Sequence, residues 1–349
     1  MAWDVVSPHL GRCKELGLDI SADDLSAIQD LSFPILETFH LGPLLAYDND
    51  TCSWLSRAIE GAAKLTKVVL FWPLSSIPYS QLVTLKIRAM HEDDVEFLLS
   101  CLLECKALEY LNILVRDEPS GQDLPTMDVN LPSFNRLKIC VNEPINANNI
   151  VRALLHSLTM PSLVKFKLSQ DRWPGHDVLH VLTQRSPLLQ RLEMTTIHVG
   201  NELHDSPVVQ SSPLLSFLSN LSHLEHFKFE FASANEKLPD ASIHLIATSL
   251  LWLLSRLSLD DDHSDLESKA TFLPKLQYMH LHPEHINLDA SVVHQFREVA
   301  VARILLHFET RYYSDNSRFH VRTVGEIFQA LVMTTYFLAI NLYIPILFD

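Results

Sequence analysis

An α/β solenoid is the fold class that the sequence predicts, with parallel strands on a concave face and helices on a convex face. Three observations predict it. The apolar pattern L-x-x-L-x-L recurs along the chain, and in the central region its copies begin 26, 26, 29 and 26 residues apart. Segments with helical periodicity lie between the copies. Because leucine-rich repeats have a period of about 20–29 residues, the sequence predicts a leucine-rich-repeat solenoid.

Each copy of the pattern predicts one short strand. Its second and third apolar residues alternate along the strand and point to one side, whereas the first residue turns the chain into the strand. The copies are Cys13/Leu16/Leu18, Leu36/Phe39/Leu41, Leu65/Val68/Leu70, Leu82/Leu85/Ile87, Leu108/Leu111/Ile113, Phe134/Leu137/Ile139, Leu163/Phe166/Leu168, Leu189/Leu192/Met194, Leu224/Phe227/Phe229 and Leu276/Met279/Leu281, with a weaker one at Leu254/Leu257/Leu259. So many copies argue against the alternative, a compact α/β domain with coincidental spacing.

Helices are predicted in four of the gaps between copies and in one segment after the last copy. Two of these segments open with Asn or Asp, at positions 146 and 289, and these residue types are preferred at helix starts. In "MHEDD" (90–94), acidic residues lie where the positive end of a helix dipole is expected. A strand followed by a helix at this period predicts a right-handed solenoid in which neighbouring units share one core. The predicted helical segments are 92–105, 146–159, 176–186, 211–222 and 289–300.

The repeat pattern does not continue after residue 303. We therefore predict a solenoid over 1–303, a linker or irregular cap over 304–323 and an apolar C-terminal helix over 324–349. Within that helix, residues 327–348 contain no charged side chain and are long enough to cross a hydrocarbon core of about 30 Å. The sequence leaves two interpretations open, a membrane anchor with the repeats in the cytosol or an apolar cap over the end of the solenoid.

Composition excludes several classes of function. The net charge of −15 argues against wholesale binding to nucleic acid or to anionic lipid. The eight glycines lack the spacing of a phosphate-binding loop, and neither G-x-S-x-G nor H-E-x-x-H is present. We therefore predict no enzymatic activity and no cofactor. Five cysteines without a C-x-x-C pair indicate a reducing compartment, the cytoplasm or the nucleus.

Three residue groups resemble metal sites, but we predict no metal. Cys101 and Cys105 share one helix face, where we expect them to be buried as small apolar side chains. "DDDHSD" (260–265) lacks the glycine and the terminal glutamate of a calcium-binding loop. The remaining group is His280, His282 and His285, a cluster that chance explains among 18 histidines.

The predicted concave face is basic. Three outward positions on each of seven strands give 21 residues, of which eight are Lys or Arg and two are acidic. That face therefore has a charge of about +6 in an acidic chain, an asymmetry typical of a binding surface. The predicted partner-binding residues are Lys86, Arg88, Tyr110, Arg136, Lys138, Lys165, Lys167, Arg191 and Lys228.

Neighbouring strands bring five of these residues together in the predicted sheet. Because strands lie about 4.8 Å apart, we expect a single cluster of like charges, which an anionic partner would stabilise. We therefore predict binding of an acidic or phosphorylated protein segment. The alternative is that exposed strand positions take basic residues for solubility and to discourage strand pairing. The cluster consists of Arg136, Lys138, Lys165, Lys167 and Arg191.

Several segments of the chain resemble the leucine-rich portion of fungal F-box proteins, especially those of basidiomycetes. They are "VVSPHLGRCKELGLDI" (5–20), "FPILETFHL" (33–41), "YSQLVTLKI" (79–87), "CKALEYLNILV" (105–115), "MPSLVKFKL" (160–168), "LTQRSPLLQRLEM" (182–194) and "LPKLQYMHL" (273–281). The resemblance covers residues 5–303. It implies that the repeats hold the substrate, while the F-box of the family recruits a cullin-RING ubiquitin ligase through a Skp-type adaptor.

An F-box itself is not found in this sequence. In the family it precedes the first repeat, and here the first repeat begins near residue 5. We therefore expect the chain to be the substrate-receptor part, which would contact the ligase adaptor only if an F-box were supplied upstream. The alternative function is a membrane-tethered leucine-rich-repeat scaffold with no link to ubiquitin.

Overall fold

A computed structural model of the chain describes eleven parts of the sequence. The chain divides into two compact units, Met1–Leu189 and Gln190–Asp349, and each is described by itself. The predicted segments 304–323 and 324–349 lie outside the described residues, as do the weaker repeat copy and the helix over 289–300. The described residues are 9, 11–19, 32–42, 59–74, 77–116, 124–141, 148–172, 176–198, 217–231, 275 and 278–283.

A parallel sheet forms most of the described part of the first unit. Seven strands follow one another in it in chain order, and two short strands, β6 and β8, pair with each other in a separate sheet. The predicted α/β class with parallel strands is confirmed. The strands are β1 (Glu15–Leu18), β2 (Thr38–Leu41), β3 (Lys67–Leu70), β4 (Thr84–Met90), β5 (Tyr110–Val115), β6 (Val129–Asn130), β7 (Arg136–Val141), β8 (Leu158–Thr159) and β9 (Lys165–Arg172).

The apolar pattern fixes how these strands pair. Second-position residues of successive copies face each other across every strand pair, and all of them are buried. First-position residues from Leu36 to Leu163 are fully buried as well. Each copy therefore extends one continuous core, since its neighbours cover the apolar side chains that it cannot bury alone. The second-position row is Leu16, Phe39, Val68, Leu85, Leu111, Leu137 and Phe166.

Three helices of the first unit lie where helical periodicity predicts them. They are α1 (Val95–Glu104), α2 (Asn148–Ser157) and α3 (His176–Arg185), and α2 packs against both of the others. Helix α1 buries its apolar face, which includes Leu98 and Leu102. A 3-10 turn precedes α1, and the His91 backbone N–H donates to the Asp94 carboxylate at 3.1 Å. The described residues 217–219 of the predicted segment 211–222 are also helical.

Between β3 and β4 the repeat is too short for a helix, and a 3-10 turn at Tyr79–Gln81 replaces it. The buried Tyr79 hydroxyl donates to the Leu74 carbonyl oxygen at 2.7 Å. Beside it, burial raises the pKa of Cys101 to about 11 and that of Cys105 to about 12. Both cysteines are free and buried, so the prediction that they pack as small apolar residues is confirmed.

The described part of the second unit contains three parallel strands, paired in chain order. They are β10 (Arg191–His198), β11 (His226–Phe231) and β12 (Tyr278–Pro283). The repeat pattern sets their register too, because Leu192 pairs with Phe227 and Phe227 pairs with Met279. In the part of the chain that the structure describes, no helix combines the length and the apolar character needed to cross a bilayer.

Candidate partner-binding face

The residues that alternate with the buried ones form two outer rows across the sheet of the first unit. Apart from Val69, which is buried, their members are half-buried or exposed. The first outer row is Glu15, Thr38, Lys67, Thr84, Tyr110, Arg136 and Lys165. The second outer row is Gly17, His40, Val69, Lys86, Asn112, Lys138 and Lys167.

Charge in the outer rows is strongly biased. Among their described members, six are Lys or Arg and one, Glu15, is acidic. A face of this composition attracts anions even though the whole chain has a net charge of −15. The structure places five of the predicted basic residues in these rows, Lys86, Arg136, Lys138, Lys165 and Lys167.

Four of the predicted site residues lie side by side on β7 and β9. Arg136 pairs in register with Lys165, and Lys138 pairs with Lys167. Backbones of paired strands lie about 4.8 Å apart, and residues two apart on one strand lie about 6.6 Å apart. Arg136 is exposed, and the three lysines are half-buried. We call these four residues the basic cluster.

The basic cluster lacks acidic neighbours at three of its positions. Among the side chains that the structure describes, no carboxylate oxygen lies within 4.0 Å of the charged groups of Arg136, Lys138 or Lys165. Like charges on adjacent strands destabilise the sheet when they lie directly opposite. An anion bound over the cluster would remove that repulsion.

Tyr110 and Lys86 border the basic cluster on the β5 side. The Lys86 ammonium lies 5.7 Å from the centre of the Tyr110 ring, a cation–π distance. Burial raises the pKa of Tyr110, so its hydroxyl is neutral and can donate a hydrogen bond. Arg88 is exposed and lies where the pairing of β4 with β5 shifts in register. These three predicted residues therefore extend the basic face beyond the cluster.

Arg191 and Lys228 belong to the second unit. The Arg191 guanidinium donates to the Glu193 carboxylate at 2.8 Å, so its charge is compensated within its own strand. Lys228 is half-buried and pairs in register with Glu193. The sequence predicts that Arg191 joins the cluster of basic residues; in the structure it lies in the second unit, where Glu193 is its ion-pair partner. An acidic residue two positions later on the same strand face was the sequence signal for the pair.

The sequence prediction left out the outer-row residues of β1–β3, which include Lys67 and His40. Lys67 occupies the same repeat position as Arg136 and Lys165, which is the signal that could have identified it. Burial lowers the pKa of His40, and the nearby positive charge of Lys67 lowers it further. Glu15 opposes this shift, with its carboxylate 3.6 Å from His40 Nε2. The positive charges of the basic face therefore contribute to the lowered pKa of His40, near the β1 edge of the face.

The predicted absence of a metal site concerns residues that lie partly outside the described ranges. Where side chains are described, no group of three His, Cys, Asp or Glu residues is arranged to hold a metal ion. His280 and His282 lie on β12, whereas His285 and residues 260–265 lie outside the described part.

No family model matches the sequence, and no curated protein is significantly similar to it.

Proposed function

We propose that the chain is a leucine-rich-repeat solenoid that acts as a non-catalytic recognition module. Its outer rows bind an acidic or phosphorylated segment of a partner protein. The main support is the basic cluster, where Arg136, Lys138 and Lys165 have no carboxylate within 4.0 Å among the side chains that the structure describes.

The energetics of the basic cluster favour binding over a purely solubilising role. Solubility requires charges, but it does not require like charges in register on adjacent strands, where they repel each other. Long side chains on a repeat surface also provide a broad area for contact with an extended partner. A bound acidic segment replaces repulsion between Arg136 and Lys165 with attraction on both sides.

The solenoid proposal is supported by the register of the apolar rows. Every strand pair of the first unit's large sheet matches equivalent positions of two repeat copies, as a translational stack of units requires. The resemblance to F-box proteins then assigns a role to the face. We propose that it holds the substrate of a cullin-RING ligase, in the cytoplasm or nucleus, when an F-box is joined to the repeats.

Reversing two charges of the basic cluster tests the proposed function. The K138E/K165E variant is expected to bind a fluorescein-labelled oligo-aspartate peptide at least about tenfold more weakly than the wild type, because attraction becomes repulsion. Fluorescence anisotropy measures the binding. The melting temperature is expected to stay nearly unchanged, since both side chains lie on the outer rows. Added salt should weaken wild-type binding through screening.

The matched control changes the same charges away from the face. Lys64 and Lys106 are exposed residues in the turns before β3 and β5, and K64E/K106E changes the net charge equally. This variant is expected to keep at least half of the wild-type affinity. Equal losses of affinity in both variants would mean that only the net charge determines binding. If the wild type does not bind the peptide, the proposed function is contradicted.

A further inference from the structure

The basic cluster is followed along its two strands by an uncharged pair. Arg136 with Lys165 forms the first pair, Lys138 with Lys167 forms the second, and Cys140 with Ser169 forms the third. All three pairs lie on the outer side of the sheet, and neighbouring pairs are spaced about 6.6 Å apart along the strands. The face therefore presents two cationic positions and then one uncharged position, at equal intervals.

These intervals match the geometry of an extended peptide. In an extended chain, side chains two residues apart point to the same side and lie about 6.6–6.8 Å apart. A peptide lying along β7 and β9 would place one side chain over each pair. We infer that the ligand is an extended segment with acidic residues at two alternating positions and an apolar or small residue at the next one. The inference rests on the proposed function and narrows the ligand class.

The third pair favours an uncharged side chain for two reasons. Cys140 and Ser169 are half-buried and carry no charge, so they offer no partner for a third carboxylate. Leu114 pairs in register with Cys140 on the β5 side and is also half-buried. A ligand side chain that covers Leu114 removes apolar surface from water, which stabilises the complex.

Two carboxylates fit the basic cluster better than one phosphate does. The cluster holds one arginine and three lysines, so it offers a phosphate one bidentate fork and otherwise only point charges. Lys138 and Lys165 lie diagonally across β7 and β9, with Cα atoms about 8 Å apart, so one phosphate would have to draw both side chains together. Two acidic side chains, one over each pair, reach the cations without such movement.

Three peptides of about the same net charge test the spacing. The first contains Glu-Thr-Glu-Thr-Leu, the second has the same composition with adjacent acids, Glu-Glu-Thr-Thr-Leu, and the third replaces both acids by one phosphoserine. Fluorescence anisotropy with the full chain measures their affinities. We expect the alternating peptide to bind about tenfold more tightly than either of the others. In K138E/K165E the three affinities should converge, while K64E/K106E should keep their order.

The outcomes separate this inference from the proposed function. If the alternating and adjacent peptides bind equally, or if the phosphoserine peptide binds best, the spacing inference is overturned and the proposed function stands. If no peptide binds, including oligo-aspartate, both are overturned. Replacing the leucine of the alternating peptide by lysine should weaken binding severalfold, and an unchanged affinity would contradict the uncharged third position.

Discussion

Replacing Phe166 by alanine is expected to lower the free energy of unfolding by about 3–5 kcal/mol. Phe166 is one of the largest fully buried side chains, and it pairs in register with Leu137 on β7. Its ring fills space between repeat copies, so truncation removes buried apolar area and leaves a cavity that the sheet cannot close. Urea unfolding followed by circular dichroism measures the change.

The control for Phe166→Ala is the preceding residue. Lys165 lies on the first outer row, so Lys165→Ala is expected to change the free energy of unfolding by no more than about 0.5 kcal/mol. A difference of this size between neighbours on one strand reports directly on which side of β9 is buried. Similar losses in the two variants would contradict the burial of the second-position row.

Aspartate at position 111 is expected to have the larger effect and to abolish cooperative unfolding at neutral pH. Leu111 is fully buried on β5 and lies in register between Leu85 and Leu137. The substitution removes the apolar contacts and places a carboxylate where no water solvates it, at a total of more than about 4 kcal/mol. Thermal melts followed by circular dichroism and the yield of soluble protein both report the loss.

The adjacent substitution Asn112→Asp introduces the same side chain on the other face of β5. Asn112 pairs in register with Lys86 and with Lys138, so a carboxylate there gains two cationic neighbours. We expect this variant to melt within a few degrees of the wild type, as surface changes of up to about 0.5 kcal/mol do. If Asn112→Asp unfolds the protein while Leu111→Asp does not, the two faces of β5 are assigned the wrong way round.

The strands and their register could be predicted from sequence because one physical requirement repeats itself. Each unit exposes apolar residues that only the next unit can cover, so equivalent residues such as Leu137 and Phe166 must lie side by side. The three described helices followed from apolar periodicity and from polar residues at their starts. Most of the basic face followed as well, since alternation along a strand fixes which residues face outward.

Other features depend on contacts that have no local pattern. The turn at Tyr79–Gln81 replaces a helix because only 17 residues separate the copies there, and its Tyr79 side chain is buried. The short pairing of β6 with β8 joins segments about thirty residues apart. Such features can be recognised only from the tertiary structure.

A disulfide between β5 and β7 tests most directly the central claim, that equivalent repeat positions lie side by side. Leu114 pairs in register with Cys140, and their Cα atoms are expected about 4.8 Å apart, within disulfide range. Cys at position 112 would lie about 8 Å from Cys140, beyond that range. After mild oxidation, peptide mapping by mass spectrometry should find the bridge to Cys140 in Leu114→Cys and not in Asn112→Cys. A bridge in Asn112→Cys alone, or equally in both, would contradict the register and with it the basic cluster.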